Sequence, residues 1–280
     1  MGIALGANRY GKSGVHLVVV DRDVPRHTIT DFQIDIRLEG DFEAAHVTGD
    51  NRALVPTDTM RGTVFAFART QPVGQPEDFG LRLARHFVAT VPSVSAATVG
   101  LRATPWVPIG DRPSAFIADA SIVRTAEVRV DGDGAHVTSG ITDLKIFKSA
   151  DSAFSNFHID DFTTLAETDD RMMATIMTAD WRYGTGDIDW GDSAAAVRDI
   201  LLATFADHDS ASLQHTLYAM AEAVLTQRRE IADIHLLLPN VHHLLMDLSP
   251  YGLDNPDQVF VATTEPYGVI EATVVRDGRA

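Results

Sequence analysis

The chain contains no cysteine, an absence that excludes disulfide scaffolds, thiolate zinc sites, iron–sulfur clusters and cysteine nucleophiles in one step. Positive charge is scarce as well. Lys and Arg number 23 against 39 Asp and Glu, a net charge of −16. Such a surface repels nucleic acid and anionic membranes as non-specific partners, so an anionic substrate requires a local basic pocket. Long apolar runs are also missing: stretches such as residues 18–20 and 236–238 are strand-sized, far short of the ~20 residues that cross a bilayer. Residues 1–12 do not read as a secretory signal, and the terminal DGRA does not read as a peroxisomal address. A cytoplasmic protein with no nucleic-acid or membrane partner is expected.

What is present is ordinary globular material, 45% hydrophobic with 20 Gly and 12 Pro, long enough for two domains of ~150 residues or one large one. Residues 15–20 and 32–38 are strand-like. In the second run Phe32, Ile34, Ile36 and Leu38 alternate with polar residues, the pattern of a sheet with one wet face. From Pro76 the spacing changes to Phe79, Leu83, Phe87 and Val91, four apart, which predicts an amphipathic helix opened by Pro76, Glu77 and Asp78. Residues 94–107 and 116–130 look extended, and Asp131-Gly-Asp-Gly134 predicts a tight turn into a strand over 136–147. The second half repeats this order, with extended chain near 173–181, helices near 193–206 and 210–228, and strands at 231–238 and 242–248. Apolar stripes mark both helices: Val197, Leu201 and Phe205 in one, Leu213, Leu217, Met220 and Val224 in the other. Two halves, 1–140 and 141–280, each reading strand–strand–helix–strand–strand, predict a tandem α+β duplication. No low-complexity linker separates them, which favours one continuous sheet.

Residues 6–13 spell G-x-x-x-x-G-K-S, the phosphate-binding loop of nucleotide hydrolases. That chemistry needs a buried strand before the loop and a helix after it, so that backbone N–H groups cradle the phosphates. Here only five residues precede Gly6 and a β-branched run follows Gly14, so the nucleotide reading is rejected.

Lys12 belongs instead to a series of segments: YGKSGV, GDNRALVPTDTMRGTVFAFA, KSADSAFSNFHIDDFTTLAETDDR, Leu213-Gln214, Pro239-Asn-Val-His242, DNPDQVF and PYGVIEATV. In this order and spacing they resemble the urate oxidase (uricase) family over nearly the whole chain, from about Tyr10 to Gly268. The resemblance implies the tunnelling fold (T-fold): two antiparallel-sheet-plus-helix units per chain, helices on one face, assembled as a homotetramer with active sites between subunits. It also implies oxidation of urate by O2 and water to 5-hydroxyisourate and hydrogen peroxide, with no cofactor and no metal.

By the same resemblance Lys12, Thr57 and His242 are catalytic, Lys12 and Thr57 as a proton relay that His242 completes. A lysine serves as a base near neutral pH only when burial or neighbouring positive charge lowers its pKa. Arg171 is expected to pair bidentately with one edge of the anionic purine, since a guanidinium presents two parallel donors in one plane. Gln214 complements the opposite edge, Phe154 stacks on the ring, Leu213 adds a backbone group and an apolar contact, and Asp58 offers its backbone N–H. Asn240 holds O2 or the attacking water over the ring, and His242, two residues on in an extended segment, is expected to share its face. Leu165 is expected to line the pocket. Read singly, these residues have plainer meanings: a surface lysine, a helix cap, a core aromatic, an exposed helix amide.

Some positions depart from the family pattern. Where the family shows LKST and FxGFxRDxYTTL, this chain has Phe147-Lys-Ser-Ala150 and FSNFHIDDFTTL over 154–165. PNKH becomes PNVH with Val241, and an arginine after the first motif is His16. None removes a residue assigned to catalysis. Two other classes share the expected fold, a catalytically silent purine-binding relative and an enzyme acting on a pterin or another purine. The latter generally anchor the heterocycle with a metal or a carboxylate, whereas Arg171 and Gln214 suit urate.

Overall fold

The computed structural model describes residues 2–119, 121–184, 187–263 and 265–276 and divides into two units, 1–140 and 141–280. The first opens with β1 (Tyr10–Asp21) and β2 (Thr28–Gly40). A short α1 (Glu43–Val47), a 3₁₀ turn (Asn51–Ala53), α2 (Thr57–Thr70) and α3 (Pro76–Thr90) follow. The chain then returns as β3 (Val94–Ala103), the hairpin β4 (Trp106–Pro108) and β5 (Phe116–Ala118), β6 (Val123–Asp131) and β7 (Gly134–Lys148), which runs past residue 140. The sheet order in this unit is β1-β2-β3-β6-β7, and β1, β2, β3 and β6 pair antiparallel in turn.

Phe32, Ile34, Ile36 and Leu38 are all buried, as their alternation requires: one pleated face meets the helices and the other carries the polar residues. α3 lies on β3 and β6, and α2 lies on β1. Met60, Val64, Phe79, Leu83 and Phe87 from the helices close the core against Val99, Leu101 and Val128, each contributing about 1.5–3 kcal/mol by leaving water.

One helix was not legible. Residues 51–53 form a 3₁₀ turn and α2 begins at Thr57, in a stretch where the sequence predicts no helix. The buried stripe of α2 is thin, only Met60 and Val64. Exposed Phe65 and the helix-disfavouring Gly62 and Thr63 blur its period. The glycine-lysine segment also settles: residues 6–9 are irregular and Lys12 lies on β1 with no helix after it, which is not a phosphate-binding loop.

The second unit takes up β7 and adds β8 (Met173–Tyr183), α4 (Trp190–Asp207), α5 (Leu213–Gln227), β9 (Ile231–Asn240), a hairpin of β10 (His243–Leu245) and β11 (Phe260–Ala262), and β12 (Gly268–Val275). Its sheet runs β7-β8-β9-β12. Asp189 caps α4 by accepting from the Asp192 N–H, and Ser212 caps α5 by accepting from the His215 N–H. α5 packs on β9 and β12, with α4 against α5. The strand expected over 242–248 shrinks to 243–245, because Asp247 turns the chain by accepting the Ser249 N–H and a 3₁₀ turn (Ser249–Tyr251) follows. Among the described residues no helix is long and apolar enough to cross a membrane.

One buried ion pair also ties α3 to β6. Glu77, fully buried on α3, accepts two hydrogen bonds from the Arg124 guanidinium at 2.9 and 2.7 Å and one from the Ser139 hydroxyl. Glu77→Ala strips Arg124 of its buried carboxylate and is expected to cost about 3–5 kcal/mol in denaturant unfolding. A loss below about 1 kcal/mol would mark the pair as exposed in solution.

Candidate functional site

Lys12 is aimed by a β-bulge. It pairs with Ile36, and Val15 pairs with Ile34, so Ser13 and Gly14 together oppose Asp35. One extra residue reverses the side-chain alternation of β1. Val15 and Leu17 point into the core beyond the bulge; before it, Tyr10 and Lys12 lie opposite buried Leu38 and Ile36, on the face that α2 covers. The bulge is built from specific groups. Gly14 adopts φ +68°, a left-handed value glycine tolerates, and its N–H donates to Asp35 at 2.9 Å. The Arg37 guanidinium holds the opposite rim, donating to the Lys12 carbonyl and the Ser13 hydroxyl. Lys12 is half-buried, and its ammonium has no hydrogen-bond or ion-pair partner among the described residues.

Thr57 is the first residue of α2, and Tyr10 ties it to the strand that carries Lys12. The Val55 N–H donates to the Tyr10 hydroxyl at 2.6 Å, and the Tyr10 ring sits edge-on to Phe42. Burial raises the phenol above its ordinary pKa against the opposing pull of the Val55 N–H, so the hydroxyl stays neutral. Pro56 gives no side-chain cap, and the Thr57 and Asp58 N–H groups open the helix with no acceptor among the described residues. A helix N-terminus in that state favours an anion. The Asp58 carboxylate points elsewhere, paired with exposed Arg61 at 3.0 Å.

The second unit holds the remaining residues. Phe154 and Thr168 exchange backbone hydrogen bonds at 2.8 and 3.0 Å, and the Arg171 guanidinium lies over the Phe154 ring, 4.9 Å from its centre. Arg171 is half-buried, its Nε is buried without an acceptor, and no carboxylate pairs with it among the described residues. Burial lowers its pKa from the ordinary value, yet a guanidinium remains charged. The Phe154 ring also stacks with Phe157, centroids 5.0 Å apart and planes at 18°. The Ala153 N–H donates to the Ser210 carbonyl at 2.7 Å, fastening this segment two residues before the cap of α5.

Leu213 and Gln214 are the first two residues of α5; Leu213 is buried and Gln214 exposed. Beside them His208 and His215 meet edge to face at 4.3 Å, and burial, with His215 and Lys148 nearby, holds the His208 imidazole below its ordinary pKa. Asn240 ends β9, flanked in register by Thr175 on β8 and Gly268 on β12. Its side chain makes no hydrogen bond among the described residues, and the hydroxyl of fully buried Thr175 is unpartnered. His242 is half-buried in the two-residue connection after β9, its carbonyl accepting the Thr263 N–H at 2.9 Å. Strand alternation therefore does not set its direction relative to Asn240. His243 is engaged with the Val241 carbonyl and the Phe147 ring, while Leu165 is exposed.

The structure thus groups Lys12, Thr57 and Asp58 in one unit, Phe154 with Arg171 and the α5 start in the other, and Asn240 with His242 at the end of β9. Among the described residues no His, Asp and Glu cluster is suited to a metal ion. Sequence reasoning missed the Tyr10 brace and Phe157, although the F-x-x-F spacing of 154–157 was in view.

Two tandem α+β units, each with helices laid on one face of an antiparallel sheet, define a tunnelling-fold protein. A family model described as Uricase matches residues 8–129 and 137–271. The uricase of Arthrobacter globiformis is 44% identical over 276 residues, covering 99% of this chain and 91% of that protein; the uricase of Dictyostelium discoideum is 34% identical over 96% of both. The crystal structure of uricase from Arthrobacter globiformis superposes with a TM-score of 0.97, covering 100% of this chain and 97% of that one. The chain belongs to the uricase family.

The bulge yields a prediction. A Cβ added at Gly11 falls 1.7 Å from the Ile36 carbonyl oxygen, so the backbone itself must shift. Gly11→Ala is expected to lose more than about 2 kcal/mol in denaturant unfolding; unchanged stability would mean that β1 and β2 are not held this close.

Proposed function

We propose that the chain oxidises urate with O2 and water, giving 5-hydroxyisourate and hydrogen peroxide, without a cofactor. The observation that carries this reading is Arg171: a half-buried guanidinium with no carboxylate partner among the described residues, over an aromatic ring, in a chain of net charge −16. A cation left unpaired in such a chain suits an anionic planar ligand. In this reading Arg171 and Gln214 grip opposite edges of the urate anion and Phe154 stacks on its face. The Asp58 N–H, at a helix N-terminus, takes a further acceptor, and Leu213 closes the apolar side.

Lys12 and Thr57 then relay a proton from the bound purine, which passes two electrons to O2. Water adds to the oxidised ring at Asn240, and His242 joins the proton network, so that the hydroxylated product and peroxide account for every atom. A homotetramer with active sites between subunits completes the reading and accounts for two sets of residues on separate units.

Chelator-treated protein in air is expected to remove the ultraviolet band of urate with equimolar peroxide. Binding without turnover would overturn the catalytic reading. Within that assay Arg171→Ala is expected to raise KM at least about tenfold by removing charged hydrogen bonds. Lys12→Ala is expected to lower kcat by about 10²–10⁴. The reverse pattern would mean that anchor and relay are misassigned.

A further inference from the structure

We propose that Phe157 is a positioning residue for urate binding, a backing plate that fixes the plane of the Phe154 ring, set in place by a left-handed turn at Asn156. This rests on the reading of Phe154 as the aromatic platform for the purine.

Three observations converge on it. The Phe154 and Phe157 rings are nearly parallel, 18° apart at 5.0 Å between centroids, the offset-stacked geometry that aromatic quadrupoles favour. Asn156 between them has φ +56°, a conformation asparagine enters more readily than most residues with a Cβ. The Asn156 N–H donates to the Glu167 carboxylate at 2.7 Å, while the Phe154 backbone pairs with Thr168, so both ends of the turn are pinned to the same neighbouring segment. Without the reversal at Asn156, Phe157 would continue away from Phe154 instead of folding back onto it.

The consequence concerns binding more than chemistry. Residues 151–172 contain no helix or long strand, so a ring in this segment has little regular structure behind it. A lone phenylalanine there would rock about its side-chain torsions, and each purine that stacked on it would have to freeze that motion. Stacked on Phe157, Phe154 is already in plane before the ligand arrives. Arg171, which grips the purine edge, is referenced to the same ring.

The test is the split between KM and kcat. Phe157→Leu keeps apolar bulk and removes the flat ring; KM for urate is expected to rise about five- to tenfold with kcat within about twofold of the parent. Phe157→Tyr is expected to retain the parental KM. In a Phe154→Ala background, Phe157→Leu is expected to add no further change, because its effect is transmitted through the ring that is gone. A parental KM for Phe157→Leu, an additive double variant, or a fall confined to kcat would each overturn the proposal. Thermal unfolding of Phe157→Leu separates a folding defect from the binding effect, and the Phe154→Ala comparison still decides if stability falls. If Phe154→Ala itself leaves KM unchanged, the platform reading fails and takes this inference with it; if Phe154→Ala raises KM and Phe157→Leu does not, only the inference fails.

Discussion

The bulge at Ser13 and Gly14 is the constraint on which the first half of the site depends. An uninterrupted β1 would place Lys12 on the same face as exposed His16 and Val18, because even-numbered residues beyond the bulge point away from the core. Two residues opposite one reverse that alternation and turn Lys12 toward the layer of α2. The local chemistry is inexpensive: a glycine at positive φ, one Asp35 acceptor, one Arg37 clamp and a glycine thin enough for the Ile36 carbonyl to pass. The Tyr10 hydroxyl then links the same strand to the chain entering α2, so Lys12 and Thr57 sit on elements braced to each other.

Electrostatics gives the second half its direction. An acidic chain has carboxylates to spare, and several of its arginines take them: Arg124 with Glu77, Arg129 with Glu39 and Asp131, Arg182 with Asp233, Arg228 with Glu230. Arg171 has taken none among the described residues and is the arginine that lies over Phe154. Removing a guanidinium from water without a partner is unfavourable, and under the proposed function the urate anion supplies that partner. The open N–H groups at the start of α2 make a weaker bid of the same sign.

Much of this was readable from residues alone, and the rest fails for identifiable reasons. Strict alternation at 32–38 and four-residue spacing at 79–91 give β2 and α3 directly, since each buries one face against a single partner layer. Helix α2 escapes because its buried stripe is two residues deep and a glycine interrupts it. The inward aim of Lys12 escapes because a bulge leaves no mark on composition; only the pairing partner reveals it. Segment order identified the family, but the brace from Tyr10, the stack of Phe157 and the unpartnered state of Arg171 are contacts between residues distant in sequence or turned by one unusual φ. The expectation that Asn240 and His242 share a strand face does not survive the end of β9 at residue 240.

In the proposed homotetramer with active sites between subunits, Lys12 and Arg171 are proposed to meet from different copies of the chain, and complementation between two inactive variants tests this most directly. Lys12→Ala and Arg171→Ala chains would be purified separately, co-assembled in equal amounts and assayed for urate consumption. If the two sets of residues meet across a two-fold interface, random mixing regenerates one intact site in each mixed pair, about a quarter of the parental activity. Activity no greater than that of the two variants assayed apart would contradict the account, because it would mean that each site is furnished by a single chain.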